Sequence, residues 1–152
     1  MAGRWQLQLH GRHGSRYNLD VTNEALIFAT AQFEQMLAHV LADVTQERCG
    51  LLAGRAGRVT AVLPVPNALH SAVAYEMDGR EFIEAMVACD FEPLGIFHSH
   101  PAGPSVPSPT DIAQAAYPDS LYTIIALNQS PPSVRAFRIV EAEVSEVKIE
   151  RM

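Results

Sequence analysis

Two histidines one residue apart, His98 and His100, sit in the stretch GIFHSHPAGPSVPSPTDIAQA, and a carboxylate, Asp111, follows eleven residues after the second. Two neutral imidazoles and a carboxylate are donors that Zn²⁺ takes, and a three-ligand site leaves a fourth position for water, as catalytic rather than structural zinc sites do. Side chains at i and i+2 of a strand project from one face, so a strand over Leu94–His98 can aim both imidazoles at one point. Ser108-Pro109-Thr110-Asp111 reads as a helix start, with Ser108 at the N-cap and Pro109 at the first helical position. Asp111 then falls in the first turn, where its carboxylate can project back toward the strand end. Taken singly, each part has an ordinary use: His-x-His is common, and an aspartate in a first turn is explained by the helix dipole. Strand, proline-rich loop and helix in that order, all within the fourteen residues from His98 to Asp111, point instead to a metal site. A hydrolytic zinc also needs a base for the proton of the attacking water. Glu47, set just before the apolar run CGLLAG, is the candidate. A carboxylate there is unexpected unless it faces a cavity or a partner; the alternative is a helix-end glutamate in solvent.

The elements that must position these residues can be read from periodicity. Trp5, Leu7 and Leu9 alternate with polar residues, as do Tyr17, Leu19 and Val21, and the Gly11–Gly14 segment between them reads as the loop of an N-terminal β-hairpin. A short strand at Leu26–Phe28 follows, and Thr30 is the expected N-cap of a helix. Phe33, Met36, Leu37, Val40, Leu41 and Val44 give that helix one apolar face. ERCGLLAGR is a short strand closed by Gly54, and RVTAVLPVPN is another, ended by its prolines. Asp78 and Glu81 form a capping-box pattern ahead of a second helix over Gly79–Ala88. After the third helix, LYTIIAL, VRAFRIV and EVSEVKIE read as strands, the first nearly all apolar and therefore central. The expected class is mixed α and β, three helices around one sheet.

The 152 residues carry neither a repeat nor a low-complexity linker, so one domain is expected. Within it, residues 1–25 form the hairpin extension, 26–140 the core and 141–152 a C-terminal strand. Hydrophobic residues at 48% and charged residues at 18% are ordinary globular composition, not disorder. The net charge of −6 argues against nucleic-acid binding, which needs clustered Lys and Arg. Locally, the first nineteen residues hold Arg4, Arg12 and Arg16 with His10 and His13 and no acid, a stretch that could dock an acidic partner but reads better as a solvated hairpin. Cys49 and Cys89 are the only cysteines, too few for a disulfide framework, which suggests a reducing compartment. The N-terminus lacks the apolar core of a signal peptide, and no apolar run approaches the ~18 residues of a membrane span. A cytoplasmic protein is expected.

Glu47 in ERCGLLAG, the run GIFHSHP, and Ser108-x-x-Asp111 together resemble the signature of the JAMM (MPN-plus) metalloprotease family. That signature is a Glu, then His-Ser/Thr-His-Pro, then seven residues between the second His and a Ser, and two more before an Asp; here the seven are Pro101 to Pro107. AYEMDGREFIEAM and YPDSLYTIIAL also resemble compact prokaryotic members, so that the likeness runs from about Leu26 to Val140. The resemblance implies a cytidine-deaminase-like fold, a sheet flanked by helices, with one Zn²⁺ per chain. It implies His98, His100 and Asp111 as zinc ligands. Glu47 would hold and deprotonate the zinc-bound water and pass the proton to the leaving amine. Ser108 would hydrogen-bond the scissile carbonyl oxygen. It further implies a peptidase or isopeptidase acting after the C-terminal Gly-Gly tail of a ubiquitin-like or sulfur-carrier protein. The tail would bind as an added strand near Asn67–Asp78 and the loop AGPSVPSP, where relatives grip it.

Two other readings stand beside this one. A binding or scaffold module for such tails needs no open coordination site, so the intact ligand set argues against it. A zinc amidase for small molecules keeps the metal and changes the substrate, whereas a deaminase is disfavoured because no Pro-Cys-x-x-Cys ligand pair occurs. His39 and His70 are isolated and read as surface or capping residues, and Cys49 as a small buried apolar residue.

Overall fold

A computed structural model describes residues 25–152. The hairpin expected before Leu26 lies outside the described residues. Strand β1 (Ala25–Phe28) leads into helix α1 (Thr30–Leu41), followed by β2 (Cys49–Arg55), β3 (Arg58–Val65), α2 (Gly79–Ala88) and β4 (Gly95–His100). Helix α3 (Pro109–Gln114), β5 (Leu121–Ala126), β6 (Ser133–Val140) and β7 (Glu143–Arg151) complete the order. The expected mixed α+β class is found, with all three helices in place.

The strands lie in the order β1-β3-β2-β4-β5-β6-β7, and β7 returns to pair in parallel with β1, so the sheet closes on itself. One core gathers Phe33, Met36 and Val40 of α1 with side chains from every strand, Leu52, Phe97 and Ile125 among them. Helix α1 therefore fills the inner face of the closed sheet. A second core on the other face joins Ala85 and Met86 of α2 to Leu51, Ile96, Ile124 and Phe137, with Ile112 of α3 packed against it. Burial on both faces explains why β4 and β5 are enclosed along their whole lengths and why LYTIIAL lacks alternation. Each fully buried Leu or Phe here contributes about 1.5–3 kcal/mol relative to exposure. Gly50 permits a close approach: a Cβ there would lie 2.5 Å from the Phe97 ring and 2.6 Å from the Leu63 carbonyl oxygen.

Several local expectations are corrected. The N-cap of α1 is Ala29, and no side chain caps it. Thr30 is already helical, and its hydroxyl donates to the Met152 carbonyl at 3.2 Å. The helix ends at Leu41 rather than reaching Val44, because Asp43 Oδ1 accepts the Thr45 amide at 2.9 Å in a side-chain-closed turn. Val44 is accordingly half exposed. Strand β2 continues one residue past Gly54, and β4 runs through His100 instead of stopping at His98. Asp78 does cap α2, accepting from the Glu81 amide.

Candidate metal centre

Strand alternation puts His98 and His100 on the face of β4 that Ile96 shares, toward α2 and α3. His98 is fully buried and His100 nearly so. Opposite them α3 begins with a capping box: the Asp111 amide donates to Ser108 Oγ at 3.0 Å, and the Ser108 amide donates to Asp111 Oδ2 at 2.9 Å. The reciprocal bond fixes the carboxylate. Asp111 Oδ2 then lies 3.1 Å from His98 Nε2 and 3.1 Å from His100 Nε2. The two Nε2 atoms are themselves 3.1 Å apart. Glu47 completes the cluster, one ligand-capable atom from each of the four residues lying within 4.8 Å of the others.

These donors fit a metal. His100 Nδ1 sits 2.7 Å from the Pro104 carbonyl oxygen, which can only accept, so that nitrogen carries the proton and Nε2 presents a lone pair inward. Asp111 Oδ2 presents another. With Nδ1 protonated on a neutral imidazole, lone pairs converge on one point, which a metal ion would satisfy; without one, an Nε2 proton shared with Asp111 Oδ2 does so. Three donors of a tetrahedral zinc with bonds of about 2.0–2.1 Å would be about 3.3 Å apart, close to the triangle observed here.

Without a metal, the imidazoles act as hydrogen-bond donors to the carboxylate. Burial works against ionisation of Asp111, but hydrogen bonds from His100 and His98 hold its carboxyl well below the usual carboxylate range. Burial also works to lower His100, yet its bonds to Asp111 and to the Pro104 carbonyl outweigh that and raise it. His98 is lowered by burial. Burial pushes Glu47 up to about 7, with His100 opposing and Asp111 adding. Only 3% of Glu47 is exposed, so it is not a solvent-facing helix-end residue. Its Oε1 is buried without a hydrogen-bond partner, as is His98 Nδ1.

An open cavity of about 350 Å³ adjoins the cluster, bounded by Glu47, His100 and Ser108, by Ala72 and Val73, and by the loop from Ala102 to Pro107. Ala72 and Val73 of segment 67–78 and most of segment 101–107 therefore both line it. Ser108 lines this cavity, and its hydroxyl oxygen accepts from the Asp111 amide.

Four supporting residues escaped the sequence reading. Ser99, between the two histidines, points away from the site; its hydroxyl accepts from the Arg48 amide, and its own amide donates to the Arg48 carbonyl, each at 2.9 Å. Asn67 donates to the Glu47 carbonyl at 2.9 Å. Pro104 orients His100, and Tyr75 stacks on His98 with ring centroids 4.5 Å apart. No periodicity marks them: Ser99 entered the sequence reading only within GIFHSHP, Tyr75 within AYEMDGREFIEAM, Pro104 within AGPSVPSP, and Asn67 as the end of PVPN and the start of segment 67–78, none with a role of its own. His39 lies outside the cluster, hydrogen-bonded to the Cys49 carbonyl and to Arg48, and His70 is an exposed turn residue. Cys49 is buried, its thiol donating to the Val65 carbonyl.

A small α+β domain whose closed sheet and short capped helix converge four ionisable side chains is the class of protein defined so far. Residues 29–140 match the prokaryotic homologs of the JAB domain, and the chain belongs to that family, in keeping with its resemblance to compact JAMM proteins. It is 36% identical over 117 residues to the CysO-cysteine peptidase of Mycobacterium tuberculosis, covering 73% of this chain and 80% of that one. It is 37% identical over 114 residues to the desampylase of Haloferax volcanii, covering 68% of this chain and 82% of that one. A Desulfitobacterium hafniense protein solved in solution shares the fold with a TM-score of 0.74 at 36% identity, over 83% of this chain and 92% of that one. Among the described residues no helix is long and apolar enough to cross a membrane.

Proposed function

We propose that the protein is a zinc-dependent peptidase or isopeptidase that cleaves after the C-terminal Gly-Gly tail of a ubiquitin-like or sulfur-carrier protein. The observation that carries this reading is the 3.1 Å triangle of His98, His100 and Asp111 donors beside a buried, partnerless carboxylate oxygen of Glu47. The relatives support the substrate class, one being a peptidase named for CysO-cysteine and another a desampylase. His98, His100 and Asp111 would hold the zinc, whose Lewis acidity makes water a nucleophile near neutral pH.

The chain's own groups do the rest. Glu47, buried beside the donors with one carboxylate oxygen free of hydrogen bonds, takes the proton of the attacking water at that oxygen and gives it to the leaving amine. Ser108 accepts from the Asp111 amide, which leaves its hydroxyl proton to donate to the scissile carbonyl oxygen as charge develops there. Loss of one such donor typically costs about 10²–10³ in rate. The cavity lined by Ala72, Val73 and the loop from Ala102 to Pro107 receives the tail.

The test is cleavage of a panel of Gly-Gly-tailed ubiquitin-like proteins bearing C-terminal peptide or amino-acid extensions. Zinc-loaded wild type should cleave at least one of them; Glu47→Gln should bind zinc without cleaving, and His100→Ala should lose zinc. Turnover by Glu47→Gln at the wild-type rate would overturn the assigned mechanism. Tight tail binding by both proteins with turnover by neither would favour a binding module.

A further inference from the structure

The two histidines are held in place by different means. His100 has a hydrogen-bonded support, its Nδ1 donating to the Pro104 carbonyl at 2.7 Å. His98 has none: its Nδ1 is buried and partnerless, and the residue is fully enclosed. What lies against its imidazole is the Tyr75 ring, stacked with centroids 4.5 Å apart and planes 29° from parallel.

Tyr75 is itself clamped. The Asn67 carboxamide reaches the backbone on both sides of it, Nδ2 donating to the Ala74 carbonyl at 3.1 Å and Oδ1 accepting the Glu76 amide at 3.1 Å. The same Nδ2 donates to the Glu47 carbonyl, and Oδ1 also accepts from the Leu69 amide. One buried side chain thus sets the height of the Tyr75 ring over His98 and ties it to the base. We propose that Tyr75 is a positioning residue for His98. Its flat face fixes the imidazole plane so that Nε2 meets the metal, the task that a hydrogen bond performs for most metal-binding histidines. This rests on the metal-centre reading above, and it assigns a role to the ring face, not to the phenol hydroxyl.

Three substitutions separate a stacking role from simple filling of space. Tyr75→Phe keeps the ring, Tyr75→Leu keeps an apolar side chain without a face, and Tyr75→Ala removes both. Zinc affinity would be measured by competition with a chromophoric chelator, and ligand geometry by the visible spectrum of the cobalt(II)-substituted protein. Circular dichroism would establish that each variant is folded. Tyr75→Phe is expected to stay within about 3-fold of wild type with an unchanged cobalt spectrum. Tyr75→Leu and Tyr75→Ala are expected to bind zinc about 10–100-fold more weakly, with altered cobalt bands. Should Tyr75→Ala not fold, Tyr75→Leu carries the comparison. Wild-type zinc affinity and spectrum in folded Tyr75→Leu would overturn the proposal while leaving the metal centre intact. A wild-type protein that binds no zinc would overturn both, a distinguishable result.

Discussion

Glu47 is a carboxylate held where its charge costs stability. Its folded pKa of about 7 stands above the 4.5 of an unperturbed glutamate, burial being the main cause. The folded state therefore binds the proton more tightly than the unfolded chain. Stability is fully present below pH 4.5 and is lost as pH rises to 7, a loss of up to about 3 kcal/mol in the metal-free protein. Glu47→Gln carries no such charge. In the presence of a chelator it should exceed wild type by about 1–3 kcal/mol at pH 8 and by much less at pH 4. Urea denaturation at the two pH values measures this, and an advantage that does not change with pH would refute it. The cluster of His98, His100 and Asp111 was legible in the sequence because these residues and Ser108 are compressed into one strand-loop-helix unit, where spacing alone fixes direction. Tyr75 and Asn67 were not, since a ring stacked on a histidine from a distant loop leaves no period to detect.

At the scale of elements, strands were easier to read than the turns between them. β6 and β7 follow from alternation, but their two-residue connection, Glu141-Ala142, contains neither glycine nor asparagine. Both residues nevertheless adopt positive φ, 51° and 67°, and Val140 pairs with Glu143 across the turn. That is the tight hairpin geometry that favours Asn-Gly. The strand pairing imposes it against local preference, at about 1 kcal/mol or more per residue. Glu141→Asn with Ala142→Gly should raise stability by about 1–2 kcal/mol, read as a higher melting temperature with activity unchanged. An unchanged or lower melting temperature would show the turn is not strained. The end of α1 was misjudged for a related reason: apolar spacing carried the helix to Val44, whereas the Asp43 side chain had already closed a turn.

At the scale of the molecule, closure of the sheet was invisible in the sequence, because it depends on pairing the first described strand with the last. β7 bonds β6 on one side and β1 on the other, and it buries Val147 in the inner core. The family match ends at Val140, yet a chain ending there would leave β1 and β6 with open edges. Such a chain should lose cooperative unfolding, which near-ultraviolet circular dichroism and amide dispersion would reveal; a sharp, native-like transition would show that closure is dispensable. Asp111 Oδ2 would link this architecture to the proposed metal in a second way. One oxygen serves both the helix cap and the donor triangle, and α3 has only six residues, none of them fully enclosed. Occupancy and local order then share one equilibrium. On chelation, deuterium uptake should accelerate at the amides of Asp111 and Ile112 while the β4 amides remain protected. Helix α3 would thus act as a built-in gauge of metal content, readable by mass spectrometry in the absence of any substrate.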